Sequence, residues 1–84
     1  MLIGKTFKLE VETLGLTVVE GRPEALTIPV GAIIKVLSWP PGDGDQMADV
    51  LLEGQTVRIF AVDVKVRGTE IVERERGNGL SASA

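Results

Sequence analysis

The residues that could do chemistry in this chain are few, and their absences narrow the field first. Across 84 residues there is no cysteine, no histidine and no tyrosine. That removes thiol chemistry, Cys-based zinc sites, the commonest general base and the commonest transition-metal ligand. Carboxylates, lysines, arginines and hydroxyls remain. Asp43, Asp45 and Asp49 stand close together beside Gly42 and Gly44. An EF-hand loop counted from Asp43 would place Met47, Ala48 and Gly54 where a ligand, a glycine and a bidentate carboxylate are needed. The triplet therefore reads as a solvated, turn-forming loop, and no metal is expected. Paired carboxylates can do acid–base work, but no spacing joins a specific pair. Neither a Walker nor a G-x-G-x-x-G phosphate loop is present. The chain is expected not to be an enzyme and to hold no cofactor.

Binding is the remaining possibility. Trp39, the single tryptophan, directly precedes Pro40-Pro41. Aromatic platforms bind extended proline-rich ligands, but usually with several aromatics, and here there are only Phe7, Trp39 and Phe60. The other reading of Trp39 is a cap on one end of the core or a subunit contact. Arg58, between Val57 and Ile59, is expected to face water or a partner. Trp39, Met47, Arg58 and Phe60 are the candidate interface or ligand-binding residues.

The formal net charge is −3 and the nine basic residues are scattered. Nucleic-acid binders usually carry a basic excess, so DNA and RNA are not the expected partners. No secretory leader is read in Met1-Leu2-Ile3-Gly4-Lys5, and no run reaches membrane-spanning length. A cytoplasmic location follows as the default.

These residues must be positioned by strands. Residues 5–12 alternate, with Phe7, Leu9 and Val11 opposite Lys8, Glu10 and Glu12, which predicts a strand with one wet face. A second apolar run covers 14–20, Glu20-Gly21-Arg22-Pro23 is read as a turn, and 25–28 as a short strand. Pro29 marks an edge or corner. Residues 32–38 form the next strand, 39–45 a loop, and 47–53 with 55–61 a hairpin around Glu53-Gly54. Residues 61–64 are expected as a 3₁₀ turn. A last strand at 69–72 would close a barrel. Residues 73–76 read as a solvated exit, and 77–84 as a disordered tail.

The whole is all-β: one domain over 1–76, of five to six short antiparallel strands. Several strands carry apolar residues on both faces, more than so small a chain can hide. It is therefore expected to self-associate, with a protein partner in view.

The Pro29-Val30-Gly31 opening, the mobile loop, the hairpin and the 3₁₀ turn before a short final strand resemble the SH3-like barrel. The strings GAIIKVLS, ADVLLEGQTVRIFAVDV and VRG are similar to those of a group of short bacterial proteins with this layout. That group has no assigned function, so the resemblance implies fold alone. Val57-Arg58-Ile59-Phe60-Ala61-Val62 also resembles the Val-Gln-Ile-Tyr-Pro-Val strand of the type II dihydrofolate reductases, tetramers around one pore. There the Gln, Ile and Tyr bind folate and the nicotinamide cofactor. Arg58, Ile59 and Phe60 hold those positions, so only the isoleucine is kept. An Sm-like RNA-binding ring is a further alternative with similar strand grammar.

Overall fold

The computed structural model describes residues 2–42 and 46–72. The described residues are all-β apart from one short helix, with strands β1 (Thr6–Leu9), β2 (Thr13–Val19), β3 (Arg22–Ile28), β4 (Ile33–Ser38), β5 (Met47–Leu52), β6 (Gln55–Phe60) and β7 (Gly68–Ile71). The helix, α1, runs from Ala61–Arg67 between β6 and β7. All strands join one antiparallel sheet in the order β3-β2-β6-β5-β4-β1-β7.

Two hairpins follow directly from local chemistry. Glu53 and Gly54 both adopt positive φ, as do Glu20 and Gly21. Such two-residue turns match the twist of the strands they join. The second of these corrects the expectation of a turn reaching Pro23. Arg22 already pairs with Val19, and Pro23 with Val18. Pro23 is tolerated because β3 is an edge strand, where an imino nitrogen can face away from the ladder. Among the described residues the strands number seven, not five to six.

Burial is one-sided. Phe7, Leu9, Ile28, Ile34, Val36, Val50, Val57, Ile59 and Val64 form a single core cluster, with Leu2, Leu26, Ala32, Trp39 and Leu52 packed against it. Ile28 on β3 and Leu9 on β1 share this core although four strands separate them in the sheet. At ~4.8 Å per strand spacing a flat sheet would hold them roughly 24 Å apart. The sheet must therefore curl around its own apolar face. The segment after β3 secures the curl, because Gly31 N–H donates to Leu9 C=O (2.7 Å) and Leu9 N–H to Ala32 C=O (2.9 Å).

The expected barrel is nonetheless not closed. β3 and β7 are the two edges of the sheet, and β7 pairs with β1 alone. The expected 3₁₀ turn is a seven-residue α-helix. Ala61 and Val64, three residues apart, seat one side of it on the core, and Asp63 pairs with Arg67 across one turn (3.4 Å). Gly68 N–H closes the last turn on Val64 C=O before the chain becomes extended. β1 also ends sooner than its alternation suggests. Glu10 N–H bonds Arg67 C=O (2.8 Å), and Val11 is exposed instead of sharing the face of Phe7 and Leu9. The expected tail at 77–84 and exit at 73–76 lie outside the described residues.

Gly15, buried in β2, is packed closely by core side chains. A Cβ there would lie 2.8 Å from Val57 Cγ1 and 3.1 Å from both Ile28 Cδ1 and Ile59 Cγ2, all on fully buried side chains. Gly15→Ala is expected to destabilise the fold by about 1–3 kcal/mol through overpacking, read as a lower urea midpoint at unchanged slope.

Candidate functional site

A sheet with its core on one side has another face to account for. On that outer face the pairings Leu16↔Arg58 and Asp49↔Arg58 line up β2, β6 and β5 in one row. Ala25 extends the row on β3, and Ser38 on β4. Arg58 Nε donates to Asp49 Oδ1 (2.9 Å), while Ser38 Oγ donates to Asp49 Oδ2 (3.3 Å). The hydrogen bond to Asp49 and the nearby negative charge raise the pKa of Arg58 above its already high ordinary value. The sign is that of a base stabilised in its charged form. What the arginine charge contributes is present at ordinary pH and is lost as pH rises into strong alkali. Arg58 is thus a fixed cation with its charge balanced locally, on a side chain that stays more than half exposed.

Apolar side chains flank this pair. Met47 lies opposite Phe60 in the β5–β6 ladder, and the alternation that points Leu16 outward also points Leu14 outward. Leu14 is 57% exposed and Phe60 37%. On the other side of the pair, Val18 is 69% exposed. Three of the four expected interface residues, Met47, Arg58 and Phe60, therefore share one face. Trp39 does not join them. It is half-buried against the core.

β2 and β6 share a single ladder pair, Leu16↔Arg58. Beyond it the β2–β3 hairpin diverges and leaves an open cleft of about 440 Å³. Its lining is apolar at Leu16, Val18 and Pro23 and polar at Thr17, Gln55 and Thr56, with Asp49 and Arg58 completing it. Gln55 Nε2 donates to Thr17 Oγ1 across the gap (2.7 Å), and Thr17 Oγ1 to Thr56 C=O (3.5 Å). These side-chain bonds replace the backbone ladder there. Sequence reading missed the cleft, because it is made by two strands that alternation alone does not pair.

The Asp43, Asp45 and Asp49 triplet is only partly visible. Asp43 and Asp45 lie outside the described residues, and Asp49 is engaged with Arg58 and Ser38. Among the described residues no group of three acidic, histidine or cysteine side chains could hold a metal ion. No described helix is long and apolar enough to cross a membrane. What the arrangement can do chemically is bind: an apolar surface, a neutralised ion pair and an adjoining cleft of mixed polarity. No family model, curated protein or solved structure matches this chain.

The Gln55–Thr17 bond holds the hairpin where the ladder stops. Gln55→Ala is expected to cost only about 1 kcal/mol in global stability yet to speed amide exchange at Leu16 and Arg58, the single ladder pair beside it. Equal exchange in both proteins would show that the bond does not hold the hairpin.

Proposed function

We propose that this chain is a non-enzymatic, cytoplasmic interaction module that self-associates and docks proteins through the outer face of β2, β6 and β5. We read its strand order as an open SH3-like arrangement: the β2–β3 hairpin, the loop after β4, the β5–β6 hairpin, and a helical turn leading to the last strand. The observation that carries the functional reading is the exposure of Leu14, Val18 and Phe60 on a face of ordered strands, beside half-buried Leu16 and Met47. Single exposed apolar residues are ordinary, whereas a contiguous group of them marks an interaction surface.

The Arg58–Asp49 pair suits such a surface. A partner covering it buries two charges already matched to each other, which costs less than stranding one of them. The net charge of −3 favours a protein partner over a nucleic acid. Aromatic and arginine side chains are the usual anchors of protein interfaces, and Phe60 and Arg58 stand two residues apart on one strand.

The test is absolute mass by light scattering across a wide range of protein concentration. A mass above that of one chain is expected at the upper end. Phe60→Ser gives up the covered part of that side chain and should lower the unfolding midpoint modestly, by about 1 kcal/mol of stability, while weakening association by about tenfold. A single-chain mass at every concentration, or an assembly indifferent to Phe60→Ser, removes this face from the reading.

A further inference from the structure

The outer edge of β3 has a hydrogen-bonding pattern that is complementary to itself. Val19 and Arg22 flank a two-residue turn and so form a hydrogen-bonded pair. Alternation down the ladder makes Thr17 with Glu24, and Gly15 with Leu26, hydrogen-bonded pairs as well. The backbone groups of the intervening residues Pro23, Ala25 and Thr27 therefore point away from β2. The same alternation turns the backbone of Leu16 toward β6, where it meets Arg58. Ala25 and Thr27 are exposed, and among the described residues no backbone or side-chain group bonds to their outward N–H or C=O. α1 packs on β6, β7 and β1 and leaves this edge uncovered.

Prolines bracket the open stretch. Pro23 has no N–H to offer at one end. At the other, Pro29 begins the turn toward β4, its C=O accepting Ala32 N–H (3.2 Å). Edge strands are commonly protected by proline and charge. Here Arg22, Pro23 and Glu24 protect the end near the turn, while Ala25 and Thr27 form an unprotected window.

We propose that two copies of this chain pair antiparallel through this window, β3 against β3, with Leu26 of each copy opposite Leu26 of the other. In that register Ala25 N–H and C=O meet Thr27 C=O and N–H of the second copy, and symmetry repeats the exchange. Every outward donor in the window is used, and each Pro23 falls beyond the ladder. Centring the pair on Ala25 is inferior. It would set Thr27 C=O against the proton-less nitrogen of Pro23 and Leu26 against Glu24. The chosen register instead joins two half-buried leucines beside the core, and places the small Ala25 and Thr27 side chains together on the outer face.

A second copy is favoured over an unrelated peptide because the window matches itself under a two-fold axis. Because each copy offers the same edge, the pairing closes at two. Pairing of β3 with the opposite edge, β7, would instead leave a free edge at each end and grow. The contact is separate from the outer face and continues it, since Leu14 and Leu16 lie beside Thr27 and Ala25.

The experiment is residue-resolved amide exchange on the full chain, at concentrations below and above the association midpoint found by light scattering. Ala25 and Thr27 amides should exchange freely in the monomer and at least about tenfold more slowly in the assembly, while Glu24 and Leu26, bonded to β2, are protected in both. Ala25→Pro removes one outward N–H without touching the β2–β3 bonds, and should abolish the edge contact while leaving Glu24 and Leu26 protected. An assembly in which Ala25 and Thr27 exchange freely overturns the edge pairing and leaves the face contact standing. Growth without limit overturns the two-fold arrangement. A single-chain mass throughout overturns both contacts.

Discussion

One constraint governs this molecule: a single sheet has to bury its apolar face without a second layer to cover it. Most sheets meet another sheet or a row of helices. Among the described residues this one has only a two-turn helix beside it and must use itself, so β3 and β1 come round to one core. Hydrophobic burial on one side drives the curl, and close packing sets its tightness. At Gly15 the packing leaves no room for a side chain, with Val57, Ile28 and Ile59 pressed into the space one would fill. The backbone bonds between Leu9 and the Gly31-Ala32 segment then hold the two sides together without completing a barrel.

The cleft and the edge are consequences of that curl. β2 approaches β6 closely at Leu16, follows the bend and leaves, so the ladder stops after one pair. Polar side chains from Thr17 and Gln55 take over where backbone groups would otherwise be left apart. The hairpin that leaves carries β3 to the outside of the sheet. Its outward backbone groups are then exposed for the same reason that the cleft exists. At the opposite edge, the helix returns the chain to β1, and Gly68 lets the turn close at Val64.

The outer face is the other side of the same arrangement. Residues that alternate with the core must point outward, and in β2, β5 and β6 several of them are apolar. Around Arg58 the charge is matched within the chain, so the face has apolar flanks with a neutral polar centre. The functional reading rests on that combination, with no catalytic constellation required. The β3 edge would add a directional contact, in which backbone groups set register and two-fold symmetry sets number.

Much of this was legible in the chain itself. Alternation set Phe7 and Leu9 against Lys8 and Glu10, and Arg58 against Val57 and Ile59, because period two in a strand is a steric fact of the backbone. The turns at Glu20-Gly21 and Glu53-Gly54 were visible for a similar local reason, although the first pulls Arg22 and Pro23 into a strand. The grouping of Met47 and Phe60 followed from the second turn, which fixes their register. Gly15, between two leucines in a strand, carried a signal of close approach that only its contacts made readable. The helix at 61–67 was hidden because its seven residues, rich in valine, favour strand by propensity, and docking of Ala61 and Val64 on the core overrides that. Local sequence determined which residues face in, where the chain reverses and which side chains bear charge. Tertiary structure alone decided that the sheet stays open, that Trp39 packs on the core, and that β2 leaves β6 after one pair, because each depends on how far a sheet must bend to bury its own face.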